Sequence, residues 1–159
     1  MTDNATQQAQ QPQFALQRIY IKDSSFESPN APEVFQMQWK PQINLDLNTS
    51  NRKVSETQYE VLLSLTITAK LEDKVAFIVE IQQAGVFMIQ GIEGQQLAQT
   101  LGAFCPNLLF PYARESVDAL VIKGSFPALM LAPVNFDAIY AEAVRRQQEQ
   151  AAAAEGATH

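Results

Sequence analysis

Between Thr57 and Lys70, Tyr59, Val61, Leu63, Leu65 and Ile67 alternate with Glu60, Ser64, Thr66, Thr68 and Lys70. A period of two sends successive side chains to opposite faces, so this run predicts a strand with one dry face and one wet face. The run Lys74 to Gln83 repeats the pattern, with Val75, Phe77, Val79 and Ile81 on one face and Ala76, Ile78, Glu80 and Gln82 on the other. Only Glu72-Asp73 and their immediate neighbours separate the two runs, which makes them an antiparallel hairpin. The chain must therefore build an antiparallel sheet and cover one of its faces.

The rest of the first half extends that sheet. Phe14 to Lys22 mixes aromatic and β-branched residues and predicts a strand, followed by a turn-rich segment from Ser24 to Pro32. Val34 to Trp39 predicts a further extended run that Pro41 interrupts. Ile43, Leu45 and Leu47 alternate with Asn44, Asp46 and Asn48, and the polar Asn48 to Lys53 predicts a turn. Ala84-Gly85 predicts a bulge before Val86 to Ile89. From Gly91 the period changes. Leu97, Leu101 and Phe104 predict a short helix stopped by Cys105-Pro106. A second helix, opening at Pro106 or Pro111, is expected to turn Tyr112, Ala113, Val117, Leu120 and Val121 inward and to stop at Gly124. Asn135 suits the N-cap of a last helix with Phe136, Ile139, Tyr140, Ala143 and Val144 inward. Strands first and helices after indicate an α+β fold with helices on one face of the sheet.

The ends read differently. Residues 1–13 are polar and Gln-rich and predict a disordered arm, residues 14–146 a single domain, and residues 147–159 a flexible, Ala-rich tail. With 159 residues, 47% of them hydrophobic, the chain has enough apolar material for one core. A net charge of −6 argues against nucleic acid as the main partner. One cysteine, Cys105, and a first segment without a signal peptide's basic and apolar parts predict a cytoplasmic protein. No apolar run is long enough for direct membrane insertion. Catalytic constellations are missing: the one histidine is His159, no Cys/His spacing suits a metal, and Gly91 to Gly94 is too short to cradle phosphate. A non-enzyme without cofactors is expected.

Two segments stand out against that background. Ser125 to Phe136 carries Phe126, Leu129, Met130 and Leu131 between Pro127 and Pro133, where a connecting loop would ordinarily be polar. Phe104 to Tyr112 is the other proline-interrupted apolar stretch. Apolar side chains on irregular backbone suit an adaptable binding surface.

Gly91-Ile-Glu-Gly94, Leu101-Gly-Ala-Phe-Cys-Pro-Asn107, Leu109-Phe-Pro-Tyr-Ala-Arg-Glu115, Phe126-Pro127 and Leu131-Ala-Pro-Val-Asn-Phe-Asp137 closely resemble the SecB protein-export chaperone family. Gln17-Arg-Ile-Tyr20, Lys22-Asp23, Ser25-Phe-Glu-Ser-Pro-Asn-Ala-Pro32, Phe35 and Trp39 match the same pattern, so the resemblance runs from about Phe14 to Asp137. It implies a four-stranded antiparallel sheet with flanking helices, assembled as a homotetramer, a dimer of dimers. It further implies an ATP-independent holdase that binds unfolded preproteins and delivers them to the SecA translocation ATPase. Carried over by motif, Phe35, Trp39, Phe126, Leu129 and Leu131 are the expected client-binding residues, and Asp23, Glu27, Ile78 and Glu80 the SecA-binding ones. Val79 and Ile81 fall to the protomer core or an oligomer interface. The alternative within the resemblance is a SecB-like chaperone dedicated to one partner, such as an antitoxin.

Overall fold

A computed structural model describes residues 11–157. Its elements are β1 (Gln13–Glu27), a 3-10 turn (Glu33–Gln36), β2 (Gln42–Lys53), β3 (Gln58–Leu71), β4 (Lys74–Gln90), α1 (Gly94–Gln99), a π turn (Thr100–Phe104), α2 (Cys105–Lys123) and α3 (Phe136–Gly156). The strands form one four-stranded sheet in the order β1-β4-β3-β2, antiparallel at every pairing. Helices cover one face and leave the other open.

The hairpin is the one the alternation requires. Ile67 pairs with Val79 and Leu65 with Ile81, and these four are at most 1% exposed. Val79 and Ile81 thus belong to the protomer core. The register slips between Ala69 and Lys70, where Phe77 and Val75 are their partners. Ala76 is the extra residue of this bulge, and Val75 is turned to the open face, not to the side of Phe77 where strict alternation puts it. The bulge expected at Ala84-Gly85 is absent from β4, which pairs with β3 without a break there. The extra residues sit across from it instead, at Gln17 and Lys22 of β1. Gly85 has a packing role: a Cβ there would stand 2.9 Å from Phe87 and 3.0 Å from Leu109 of α2. Its absence lets the helix lie close on the central strand.

Both edge strands outrun their apolar patterns. β1 continues to Glu27 through the expected turn residues, and β2 continues through Asn48–Lys53. An edge strand needs only one pairing partner and tolerates polar side chains, so composition understates its length. Val34 to Gln36, in contrast, coils into the 3-10 turn and does not extend.

Helical backbone runs without interruption from Gly94 to Lys123, although a stop at Cys105-Pro106 is expected. Between α1 and α2 the helix widens to a π turn in which the Cys105 N–H donates to the Thr100 carbonyl, five residues back. That wider turn carries the chain into Pro106 where an ordinary α-turn would meet the ring. The buried face of α2 is Cys105, Pro106, Leu109, Phe110, Ala113, Val117 and Val121. Tyr112 lies off it and is half-exposed.

The end of α2 also differs from expectation. Gly124 caps the helix at φ −81°, and the left-handed residue is Ser125, at φ 69°. The Phe126 N–H reaches the Val121 carbonyl and the Ser125 N–H the Ile122 carbonyl, closing a Schellman motif. A serine in that conformation carries a steric cost that glycine lacks. A left-handed cost of about 1–2 kcal/mol, offset by glycine's greater unfolded-state entropy of about 0.4–1 kcal/mol, leaves Ser125→Gly expected to stabilise the protomer by up to about 1 kcal/mol, read as a raised midpoint in urea.

Asn135 caps α3 as predicted, its Oδ1 accepting from the Ala138 N–H at 3.0 Å. Of α3's residues only Phe136 is buried, and Ile139 is 42% exposed, so most of the expected inward face lies open. The helix continues through Gln147 to Gly156, carried by alanines of high helix propensity and by Glu142 pairing with Arg145 and Arg146. Gln13 already belongs to β1. The rest of the arm expected at residues 1–13 lies, up to residue 10, outside the described residues, as does His159. Among the described residues no helix is long and apolar enough to cross a membrane, and no cluster of His, Cys, Asp and Glu could hold a metal ion.

Candidate functional site

On the helix side, one aromatic cluster gathers residues from four parts of the chain. Phe126, just after α2, has ring centroids 5.2 Å from Phe35, 5.5 Å from Trp39, 5.1 Å from Phe77 and 6.4 Å from Phe26. Trp39 also stacks over Phe77 at 6.3 Å. The cluster is graded: Phe77 is fully buried, Phe126 is 6% exposed, Trp39 is half-buried and Phe35 is 48% exposed. Phe35 and Trp39, close together in one segment, are thus brought against the sequence-distant Phe126. Phe126 is the covered centre, and Phe35 is the ring that meets solvent.

Leu129 and Leu131 are half-buried against the same core, while Met130 between them is 78% exposed. The sequence reading missed what shapes this loop. Asp118 of α2 accepts the Leu129 N–H at 2.9 Å and the Met130 N–H at 3.4 Å. Arg114, one turn earlier, donates to the Leu131 carbonyl at 3.5 Å and lies over the Phe110 ring. These contacts hold Met130 in its left-handed conformation, φ 51°, with its side chain outward. The sequence signal was an Arg/Asp pair at i, i+4, which by itself reads as a surface ion pair.

Apolar concavity continues along the same side. A hollow of about 490 Å³ lies among Leu97, Leu101, Ile139 and Tyr140. Another of about 670 Å³ has Leu47 of β2 and Ile139 of α3 in its walls. Both exist because α3 touches the body mainly through Phe136 and through Tyr140, whose ring fills the space beside Gly102.

The open face carries the other predicted group. β1 pairs with β4 so that Glu27 faces Ile78, Ser25 faces Glu80 and Asp23 faces Gln82. Asp23, Glu27, Ile78 and Glu80 consequently occupy one patch across two neighbouring strands, and Asp46 continues the Glu80 row through Thr66. Asp23, Glu27 and Glu80 are exposed and Ile78 half-buried. The patch is acidic around one aliphatic side chain.

Further along that face is a second feature missed in the sequence. Glu60 is 7% exposed and receives the Tyr20 hydroxyl, Lys22 Nζ at 2.9 Å and Arg52 Nε at 3.0 Å. Lys22 and Tyr20 hold its carboxyl down at about 2, and Arg52 adds to them. Burial and the same carboxylate push the Tyr20 phenol up to about 12. Cys105 is fully buried, and burial pushes its thiol up to about 12. A thiol so placed has no nucleophilic form at neutral pH.

Sheet order, helix placement and the apolar helix side define a SecB-like α+β fold. A solved SecB-like chaperone of Mycobacterium tuberculosis, in complex with a peptide from an antitoxin, superposes with a TM-score of 0.65 at 16% identity, covering 76% of this chain and 90% of that one. The family described as preprotein translocase subunit SecB matches residues 7–148. Protein-export protein SecB of Hahella chejuensis is 72% identical over the whole of both chains. That of Marinobacter nauticus is 74% identical over 94% of this chain and 92% of its own. The chain belongs to the SecB family of non-enzymatic protein-export chaperones.

Proposed function

We propose that the protein is a cytoplasmic, nucleotide-independent holdase that keeps preproteins unfolded on its helix side and presents them to SecA through its open sheet face. Phe35, Trp39, Leu129 and Leu131 contact the client, with Phe126 as the floor beneath them. The observation that carries this reading is the 48% exposure of Phe35 on top of a buried aromatic cluster. An unfolded client offers no fixed shape, so affinity must come from apolar pockets repeated along an extended segment. Met130, exposed and polarizable, adapts to different side chains. The hollows beside α3 extend the apolar track, and several weak contacts on one long client raise each other's effective concentration.

The assembly proposed is a homotetramer, a dimer of dimers. Support comes from Phe104, Tyr112 and Ile122, each half-exposed or more on the helical segment leading into and forming α2, a density of apolar surface that a second copy would cover. In solution the particle should have a mass near four times 17.7 kDa. A dilution series that gives only monomer at micromolar concentration would contradict the assembly. The protein should also suppress aggregation of a chemically unfolded secretory precursor without nucleotide, and failure to do so would contradict the holdase reading.

Asp23, Glu27, Ile78 and Glu80 are proposed to meet SecA. Their co-facial placement in register supports this, since an aliphatic centre ringed by acids suits a basic partner surface. Glu80→Lys reverses one charge at an exposed site and is expected to weaken SecA binding about tenfold with client affinity unchanged. Parallel loss of both activities would point away from a contact surface.

A further inference from the structure

The position of Lys22 is the unexplained feature of the open face. It is the extra residue of a bulge in β1, lodged between the Ile21–Gln83 and Asp23–Gln82 pairs, so it adjoins Asp23 at the rim of the acidic patch. A free ammonium there would lie within a Debye length of the carboxylates and offset part of their field. Instead its Nζ is 2.9 Å from Glu60 Oε1. Tyr20, paired with the small and fully buried Ala84, donates to the other carboxylate oxygen. Arg52, directly across from Glu60 on β2, completes the set from the far side.

We infer that Glu60 is a positioning residue that sets the charge of the SecA-facing patch by holding Lys22 away from Asp23 and Glu80. This rests on the assignment of the open face to SecA given above. Glu60 is too covered to touch a partner itself, and it acts through the cation it restrains. The β1 bulge has a role in this account: Lys22 shares Tyr20's face by simple alternation, and the extra residue turns its neighbour Asp23 to that same open face, which sets the ammonium beside the acidic patch. Glu60 remains ionised throughout the neutral range, so the restraint is permanent and not a pH switch.

The test uses the full chain, purified SecA, and Glu60→Gln, the double variant Glu60→Gln with Lys22→Gln, and Glu80→Lys. Glu60→Gln keeps a hydrogen-bonding side chain of the same shape but removes its charge and frees the ammonium, and it should weaken SecA binding about three- to tenfold. Removing the freed charge in the double variant should restore affinity to within about twofold of wild type, which lost packing at Glu60 would not allow. Client affinity should be unchanged in both, because the client side is the opposite face of the sheet. Unaltered SecA binding by Glu60→Gln, or a defect that Lys22→Gln does not restore, overturns the inference if Glu80→Lys still weakens SecA binding. If Glu80→Lys has no effect, the assignment of the face to SecA falls, and the inference falls with it.

Discussion

Phe126→Asp is expected to abolish cooperative folding of the protomer, not merely to weaken client binding. Phe126 is 6% exposed and touches Phe26, Phe35, Trp39 and Phe77. Truncating such a ring costs about 3–5 kcal/mol by itself, and a carboxylate left among aromatic rings adds an unpaired buried charge. Domains of this size hold roughly 5–15 kcal/mol in reserve, so the sum consumes most or all of it. The near-UV circular dichroism band and the thermal transition should both be lost. A well-folded Phe126→Asp protein would mean that the ring's surroundings open to water and that the cluster is not part of the core. For the same reason this substitution is a poor probe of client binding, and the exposed positions are the better ones.

Gly124→Ala carries the second large effect, and its sign is the informative part. At φ −81° alanine meets no backbone strain, and replacing glycine at a compatible site ordinarily stabilises by about 0.4–1 kcal/mol. Here a Cβ would lie 2.2 Å from Cζ and 2.6 Å from Cε1 of Phe26. That ring is stacked on Phe77 at 5.8 Å, which leaves it little room to withdraw. The end of α2 must lift, or the aromatic cluster must repack, at about 1–3 kcal/mol. A lowered urea midpoint for Gly124→Ala beside a raised one for Ser125→Gly would separate close packing from backbone freedom at adjacent residues. A stabilised Gly124→Ala would show that the close approach of Phe26 is not maintained.

What the sequence made legible, and what it hid, divides along physical lines. Alternation specified the β3–β4 hairpin and the faces of Val79 and Ile81, because burial on one face imposes a period that one strand displays alone. The cap at Asn135 was equally local. Val75 escaped because one bulged residue inverts the alternation on its far side, and no composition marks it. The helix through Cys105-Pro106 escaped because a single wide turn accommodates the proline, so the stop signal was genuine but answerable. Asn48–Lys53 resembled a turn since an edge strand can be polar. The proposed SecA and client groups came from motif resemblance; in the folded chain the first share one face of the sheet, and Phe35, Trp39 and Phe126 share one aromatic cluster. Glu60 was read as one more solvated acid: its partners Tyr20, Lys22 and Arg52 come from two other strands, a convergence that only the folded sheet creates. The grip of Asp118 on the Leu129 and Met130 amides was hidden likewise.

Phe35→Asp provides the most direct test of the claim that the solvent-facing edge of the aromatic cluster receives unfolded preprotein. Phe35 is 48% exposed, so a charge there remains hydrated and the thermal midpoint should stay within a few degrees of wild type. The measurement is the dissociation constant for a fluorescently labelled, chemically unfolded secretory precursor, without nucleotide. A loss of about tenfold or more, with the fold intact, is the predicted result. Affinity within twofold of wild type at an unchanged midpoint would contradict it and move the client site elsewhere.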